Sequence, residues 1–356
     1  MNLTTENITN KVNLKEQWDE LKARYPRLRT KNAADKLGVS EAELLASICD
    51  GKTVIRLNRE WESILAHVET LGEVMALTRN EAAVHEKTGV YANASFQGHA
   101  GVVINGEIDL RVFPKRWAFA FAAPVENPRG TLHSLQFFDK EGSAVHKIYL
   151  RDAAHLEAYK ALTEKFRAED QSPGVVITDS VKRPKNLPVD EIDVNDLLDN
   201  WESLKDTHAF YPLLRKYKVA RTDALRLAEG RFAWRIENSD VQEMLEAAAA
   251  REVPIMVFVG NKGMIQIHSG PVKKVKILNE WINILDPGFN LHLRSNLISE
   301  TWVVEKPTED GVVTSIESFD KEGEIIVTFF GARKPGLPEK REWRKLVQEL
   351  KEGALK

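Results

Sequence analysis

The residues of this chain whose types and spacing could do chemistry begin with Asp206-Thr207-His208. Asp206 or Thr207 suits the N-cap of a helix whose first turn contains His208. The positive end of that helix disfavours a protonated imidazole, so a ring nitrogen keeps a lone pair that can ligate a metal at neutral pH. On the residues alone, a polar histidine at a helix start is an equally good interpretation.

A second candidate is Arg111, which lies in an alternating run over 108–113 that predicts a strand. The apolar residues at 108, 110 and 112 share one face, which places Arg111 on the other face beside Asp109 and Phe113. The strand by itself favours an exposed ion pair between Arg111 and Asp109, and the alternative is a guanidinium that donates hydrogen bonds to a ligand.

Length and composition limit the class of protein. The chain has 356 residues, about twice the ~150-residue prior for a domain, which indicates two domains or one duplicated unit. Its 50 Lys and Arg against 53 Asp and Glu leave a net charge of −3, so no global basic field attracts nucleic acid or anionic membranes. The single cysteine, Cys49, excludes an internal disulfide and an iron–sulfur cluster, and it favours the cytosol. The longest apolar run, 253–259, is too short to span a membrane.

Familiar nucleotide-binding and catalytic motifs are missing from the sequence. Gly51-Lys52-Thr53 ends like a P-loop, but Ala46 stands where the first glycine belongs and no strand precedes it. There is no G-x-G-x-x-G, H-E-x-x-H or G-x-S-x-G. The run 32–40 has helix–turn–helix spacing, which DNA-binding domains share with any two packed helices joined by a short glycine turn, and the acidic balance favours the structural interpretation.

The periodicity of apolar residues indicates how these candidates are positioned. It predicts helices up to about residue 70, a mostly antiparallel sheet over 72–150, a helix over 156–166, helices after a polar, proline-containing linker, strands over 255–330 and a helix over 339–351. Ser40 and Glu43 have the spacing of a capping box at the start of one helix.

The second half of the sequence repeats the first. A shift of 181 positions lays Phe138-Asp-Lys-Glu-Gly142 on Phe319-Asp-Lys-Glu-Gly323 and Asn80 on Asn261 without a gap. Under the same shift Arg111 falls on His292, so the two copies differ in their chemically active residues. The sequence therefore predicts a duplicated fold with unequal sites.

Several of these segments together resemble the haemin-degrading factor family, the HemS-like haemin transport proteins of bacterial haem uptake. The segments are Gly72-Glu-Val-Met-Ala-Leu-Thr-Arg-Asn80, Val84-His-Glu86, Ile108-Asp-Leu-Arg-Val-Phe113 with Trp117, His133-Ser-Leu-Gln-Phe-Phe-Asp139 and Asp206-Thr-His208. The likeness extends from about Trp18 to Trp343.

The resemblance implies a duplicated α+β architecture with two large antiparallel β-sheets flanked by helices. It implies one non-covalently bound haem in a cleft between a sheet and the helices that follow the linker. We place the N-terminal repeat at 1–166, the linker at 167–195 and the C-terminal repeat, which carries the proximal ligand, at 196–356.

The resemblance also implies roles for single residues. His208 matches the proximal iron ligand, and Arg111 matches a distal, catalytic arginine over the open face of the iron. Arg221, Lys306 and Arg333 match partners of the haem propionates. Relatives often have a tyrosine near Arg333 where this chain has Phe330.

Further expectations concern the walls of the cleft and two other histidines. Phe113, Phe210 and Tyr211 are the nearest candidates to line the macrocycle, with core packing expected for at least one of them. His85 could ligate a second haem, but a structural role is favoured, and His99 has no stronger claim.

The function implied is that of a cytoplasmic haem-binding protein in bacterial iron acquisition, as a monomer or dimer. In one hypothesis it releases iron by degrading haem with an external electron donor, supplied for example by a reductase. In another it is a carrier that takes haem from the uptake transporter to a separate haem oxygenase. A DNA-binding regulator is a minor alternative, and nucleic-acid binding is not expected.

Overall fold

The computed structural model describes residues 3–98, 100–127, 130–178, 186–334 and 336–355, with residues 3–13 and 127 described by their main chain only. His99 lies outside the described residues. Within them, no helix is long and apolar enough to cross a membrane.

Ten α-helices lie in the described chain. They are α1 (Leu3–Arg24), α2 (Thr30–Leu37), α3 (Glu41–Ala46), α4 (Trp61–His67), α5 (Leu156–Lys165), α6 (Val194–Glu202), α7 (Phe210–Tyr217), α8 (Arg221–Leu227), α9 (Asp240–Ala250) and α10 (Arg341–Lys351).

Eighteen strands accompany them in the same ranges. In the first half they are β1 (Ile55–Arg56), β2 (Glu73–Arg79), β3 (Ala83–Val90), β4 (Ser95–Gln97), β5 (Ala100–Ile104), β6 (Asp109–Val112), β7 (Trp117–Asn127), β8 (Gly130–Asp139) and β9 (Ala144–Leu150). In the second half they are β10 (Ala233–Ile236), β11 (Ile255–Gly260), β12 (Met264–Gly270), β13 (Val275–Leu278), β14 (Trp281–Asp286), β15 (Phe289–Arg294), β16 (Glu300–Lys306), β17 (Val313–Phe319) and β18 (Ile325–Gly331).

These strands form two nine-stranded antiparallel sheets, which confirms the predicted α+β class. The chain divides into two compact units. The first comprises Met1–Arg79, Glu86–Val181 and Asn261–Gln266, and the second comprises Asn80–His85, Lys182–Gly260 and Ile267–Lys356. Each unit thus includes one short segment from the other half of the sequence, and these two segments lie 181 positions apart.

The tandem repeat is visible strand by strand. The first unit contains the strand order β1-β7-β8-β9-β2 and the run β6-β5-β4, and the second contains β10-β16-β17-β18-β11 and β15-β14-β13. β9 and β18 begin and end 181 positions apart. The repeat predicted from the sequence is therefore confirmed, while the bounds 1–166, 167–195 and 196–356 stay a prediction.

The helix–turn–helix segment is part of the first unit's core. Ser40 caps α3 with the predicted capping box, since its hydroxyl accepts from Glu43 N at 3.2 Å while Ser40 N donates to Glu43 Oε2 at 2.9 Å. Five of the six residues of α3 are buried. A DNA-recognition helix must present its side chains to a groove, so this helix is not suited to that role.

The segment around Gly51 does not form a phosphate-binding loop. The Asp50 carboxylate accepts hydrogen bonds from the backbone N–H groups of Lys52, Thr53 and Val54 at 2.7–3.1 Å. Although burial acts to raise it, these bonds hold the pKa of Asp50 below its usual range. The donors that a phosphate would need are already used by the chain's own carboxylate.

A cluster of large apolar side chains attaches α6, α7 and α8 to the second unit's sheet. Its core includes Trp201, Phe210, Leu225, Trp302 and Phe319. Pro212 lies in the first turn of α7, where a helix has no use for the missing N–H, so it does not interrupt the helix.

The Phe-Asp-Lys-Glu-Gly turns of the two repeats allow a matched stability test. Gly142 and Gly323 have φ of +80° and +76°, so alanine is strained by about 1 kcal/mol at both. A Cβ on Gly142 would lie 2.1 Å from Ser40 Oγ, whereas one on Gly323 would lie 3.2 Å from Thr222 Oγ1.

We therefore expect Gly142→Ala to lower the melting temperature clearly more than Gly323→Ala, with an added cost of about 1–3 kcal/mol from overpacking. Thermal unfolding followed by circular dichroism measures both variants. Equal melting temperatures would show that the Ser40 hydroxyl, which caps α3, leaves room for a Cβ at position 142.

Candidate functional site

His208 lies in a short 3₁₀ helix, Thr207–Ala209, directly before α7. Asp206 is its N-cap, because Asp206 Oδ1 accepts the backbone N–H of His208 at 2.7 Å. The predicted cap is therefore confirmed, with Asp206 rather than Thr207 as the capping residue.

The same carboxylate also orients the imidazole. His208 Nδ1 lies 2.7 Å from Asp206 Oδ1, and the side chain of His208 is 90% exposed. An ionised carboxylate can only accept, so Nδ1 donates, and in the neutral ring the lone pair lies on Nε2, which has no hydrogen-bond partner among the described residues. The backbone N–H and the imidazole of His208 hold the pKa of Asp206 below its usual range. A carboxylate behind a histidine in this way is the common arrangement at metal-ligating histidines.

Phe210, two residues after His208, anchors this exposed segment to the core. Its ring is almost fully buried, with its centroid 4.4 Å from that of Trp201. Trp201 is in turn fixed by its indole N–H, which donates to the carbonyl of Glu305 at 3.0 Å. The position of His208 thus depends on the buried pair of Phe210 and Trp201.

Two of the three predicted propionate partners meet at a buried carboxylate, that of Glu317. The guanidinium of Arg221 donates to both carboxylate oxygens, from Nε at 2.7 Å and from Nη2 at 2.8 Å. Lys306 Nζ donates to Glu317 Oε1 at 2.8 Å and to Ser315 Oγ at 3.0 Å. We call Arg221, Lys306 and Glu317 the ionic cluster.

Opposite charges compensate the burial of this cluster. Burial alone would raise the pKa of Glu317, but the charges and hydrogen bonds of Arg221 and Lys306 hold it far below its usual range. Burial lowers the pKa of Lys306, and Glu317 acts against that shift. Each cation also lies near the ring of Phe210, with Arg221 Cζ at 4.9 Å and Lys306 Nζ at 5.1 Å from its centroid. The cluster therefore supports the residue that anchors His208.

The three predicted propionate partners differ in their exposure to solvent, and therefore in how accessible they are to a ligand. The side chain of Lys306 is 3% exposed and that of Arg221 is 22% exposed. Arg333 is partly buried and donates from Nη1 to the carbonyl of Leu337 at 3.3 Å, with Asp310 Oδ2 at 3.5 Å. The ring of Phe330 packs edge-on against Phe258, with centroids 5.1 Å apart.

Arg111 and Phe113 belong to the first unit. Arg111 Nη1 donates to the Asp109 carboxylate and to the carbonyl of Leu110, the latter at 3.2 Å, so the ion pair that the strand favours is present. About a third of the Arg111 side chain stays exposed, and Phe113 is half-buried. The roles of Arg111 and Phe113 stay predictions.

The remaining candidates divide by burial. Tyr211 is exposed beside α7's buried face and is free to contact a ligand. His85 is fully buried, with its ring centroid 4.9 Å from that of Phe289, which supports the structural role favoured for it. Within the described part of the chain, no group of three or more His, Cys, Asp or Glu is arranged to hold a metal ion.

Reasoning from the sequence missed Glu317. Arg221 and Lys306 look like solvated surface charges, because their common partner is distant in the sequence. A signal was present in the repeat, where the shift of 181 lays Glu317 on Gln136 and Lys306 on Val125. An acid and a base that enter one copy together at strand positions indicate a buried ion pair.

Comparison with known proteins agrees with this duplicated fold. The model of the haemin-degrading HemS.ChuX domain matches the chain twice, over residues 38–166 and 218–350. The chain is 36% identical over 340 residues to the hemin transport protein HmuS of Yersinia pestis, covering 95% of this chain and 97% of that protein. This chain belongs to the haemin-degrading HemS.ChuX family.

Solved structures show the same likeness. The crystal structure of holo-PhuS, a heme-binding protein from Pseudomonas aeruginosa, has 45% identity and a TM-score of 0.92, covering 96% of this chain and 99% of that chain. The heme degrading enzyme ChuS of Escherichia coli O157:H7 has 35% identity and a TM-score of 0.88, again with 96% and 99% covered.

The ionic cluster generates a prediction for stability. Glu317→Gln removes the only acid of the cluster and leaves the buried Lys306 and the partly exposed Arg221 without it, so we expect a loss of about 3–5 kcal/mol in the free energy of unfolding. Urea unfolding at pH 7 measures it, with the exposed Glu342→Gln in α10 as control, for which less than about 0.5 kcal/mol is expected. A loss as small as that of the control would contradict the proposed compensation.

The pH dependence of the same variant has a defined sign. The unfolded chain protonates Glu317 near its ordinary pKa of 4.5, whereas the native state does so at much lower pH. Its stabilisation is therefore complete above pH 4.5 and lost as the pH falls further. Glu317→Gln should show a flatter acid limb and gain stability towards about pH 10, where Lys306 loses its unfavourable buried charge.

Proposed function

We propose that this chain binds haem as its cargo or substrate, with His208 Nε2 as the axial ligand of the iron. The observation that carries the proposal is the exposed His208 ring, whose Nδ1 is held by Asp206 so that Nε2 presents its lone pair to solvent. A neutral, oriented imidazole is the form that ligates iron.

The charges around this segment fit a dianionic porphyrin. Arg221 retains N–H groups beyond the two that it donates to Glu317, and it is partly exposed. Arg333 is also partly exposed, so these two arginines suit the propionates as charge-assisted donors. Lys306 is almost fully buried, and we assign its main role to holding Glu317 and Arg221 in place.

The family and the named relatives support a role in the handling of haem acquired from outside the cell. HmuS and its relative HemS of Yersinia enterocolitica are hemin transport proteins. We infer that the chain acts in the cytoplasm of a bacterium, receives haem from the uptake transporter and passes it on. A separate haem oxygenase is the expected receiver if the chain does not itself degrade haem.

Haemin titration followed at the Soret band tests the axial ligand. His208→Ala should shift the Soret band and weaken binding at least tenfold, because the iron–nitrogen bond is lost. His67→Ala, a histidine of the first unit, is the control and should leave both unchanged. An unaltered spectrum and affinity in His208→Ala would exclude the assignment.

Asp206→Asn separates the orientation of the ring from ligation itself. An amide can cap the helix but does not carry the charge that fixes Nδ1–H, so we expect a loss of roughly 10–100-fold in haemin affinity. The melting temperature of the variant should stay close to that of the native chain. A loss of folding with unchanged affinity per folded molecule would assign Asp206 a structural role only.

A second candidate function, degradation of haem, is favoured by the likeness to the heme degrading enzyme ChuS. Oxidative opening of the ring consumes dioxygen and electrons from an external reductant, and it releases iron. Arg111 matches the family's distal arginine, and its guanidinium, partly exposed and held by Asp109, is suited to donate hydrogen bonds to an oxygen ligand.

Adding ascorbate in air to the haem complex distinguishes an enzyme from a carrier. Degradation predicts that the Soret band decays and a ferrous chelator captures iron, whereas a stable spectrum over hours would identify a carrier. If the chain is an enzyme, Arg111→Ala should keep haem affinity and slow the decay about tenfold or more. Equal decay would remove Arg111 from the mechanism.

A further inference from the structure

The first unit holds a short length of irregular chain, residues 171–178, in a site next to α3. The carbonyl of Ala46, the last residue of α3, accepts from Gly174 N at 2.8 Å. The carbonyl of Lys140, in the Phe-Asp-Lys-Glu-Gly turn, accepts from Thr178 N at 2.9 Å. The segment is thus bound through its main chain to a helix end and a turn.

Arg56 of β1 provides the third attachment. Its Nη2 donates to the carbonyls of Ser172 and Gly174, both at 2.7 Å. One guanidinium therefore binds two carbonyls of the segment. Val175 packs against the apolar cluster that includes Leu45 and Phe121.

The second unit has a pocket of about 260 Å³ at the equivalent place. It is lined by Thr222 and Arg226 of α8, Arg235 of β10, Glu300 of β16, and Lys321 and Gly323 of the second Phe-Asp-Lys-Glu-Gly turn. Small-molecule sites have volumes of roughly 300–1,000 Å³, so this pocket suits a short length of peptide better than a large cofactor.

Strand register shows that Arg235 is the counterpart of Arg56. Arg56 pairs with Phe121, and Arg235 pairs with Trp302. Phe121 and Trp302 lie 181 positions apart, which is the offset of the repeat. Arg235 is exposed and lines the pocket, as Arg56 lines the site of the 171–178 segment.

The floors of the two sites differ in polarity. The offset of 181 lays Arg226 on Leu45 and Glu300 on Phe119. Arg226 Nη2 donates to Glu300 Oε1 at 2.7 Å, so an ion pair replaces two apolar side chains. A segment bound in the pocket of the second unit would therefore need a polar side chain at the position that corresponds to Val175 in the first unit.

We propose that the pocket beside α8 binds a short, irregular, polar segment of a partner protein through its main chain. Arg235 donates to the carbonyls of two residues of that segment that are separated by one residue, as Arg56 does with Ser172 and Gly174 in the first unit. The carbonyl of Lys321 accepts a main-chain N–H, as that of Lys140 does. The pocket should prefer a segment that places a polar side chain against the Arg226–Glu300 ion pair. It shares no lining residue with the segment that carries His208.

Fluorescence anisotropy with a defined probe tests the proposal. The probe is the fluorescein-labelled decapeptide with the sequence of residues 169–178 and glutamine in place of Val175, titrated with the full chain. The chain's own segment is tethered at an effective concentration in the millimolar range, so a micromolar probe does not displace it from the first unit. We expect saturable binding that Arg235→Ala weakens about tenfold or more.

Two further variants make the outcome decisive. Arg235→Lys keeps the charge but loses the planar guanidinium, whose terminal NH₂ group holds both carbonyls in a fixed geometry in the first unit, so it should weaken binding nearly as much as Arg235→Ala. Arg231→Ala, an exposed arginine that pairs with Glu202 outside the pocket, should bind as the native chain does. The decapeptide with the native Val175 should bind more weakly than the glutamine probe.

No saturable binding, or equal binding by native chain and Arg235→Ala, would overturn the proposal. Binding that Arg235→Lys restores in full would show an electrostatic contact rather than capture of carbonyls. Sedimentation velocity covers the other occupant, since a dimer of the native chain that Arg235→Ala abolishes would assign the pocket to a second copy and overturn the separate partner.

Discussion

The buried carboxylate of Glu317 is the constraint on which the second unit's site depends. A lone charge in this position would be costly, so it requires Arg221 from α8 and Lys306 from β16 at the same time. These cations join helix to sheet and lie against the ring of Phe210. Phe210 then fixes the start of α7, and the exposed His208 lies directly before this anchored residue.

The first unit also has one buried acid with two cations, but there the helix provides the acid and not a cation. Glu41, the first residue of α3, is buried and bonded to Arg79 and Lys147, whereas α8 begins with the cation Arg221. Burial acts to raise the pKa of Glu41, and the two cations hold it below its usual range. Under the offset of 181, Ser40 stands where the second unit has Arg221, so the first unit offers no cation to a propionate at that position. The two copies therefore share a backbone fold but place their buried acids and cations on different elements.

Much of this organisation follows from the sequence. The offset of 181 follows from aligning the sequence with itself, and the capping box at Ser40 and the Asp206 cap depend on local spacing. The structure shows all three. Local spacing does not indicate the partner of Arg221, because a buried ion pair depends on which strands come together. Only the difference between Glu317 and Gln136 in the repeat indicates it. The attachment of residues 171–178 to Arg56 was missed for the same reason, since a polar, proline-containing segment has the composition of a linker whether or not it is bound.

Ligation of iron by His208 can be tested with a crystal structure of the chain with haem, from data collected at the iron absorption edge. We expect one strong anomalous peak about 2 Å from His208 Nε2, a usual distance for a metal–imidazole bond, with Nδ1 still bonded to Asp206. An iron peak next to another histidine, or a His208 ring turned away from both Asp206 and the iron, would contradict it.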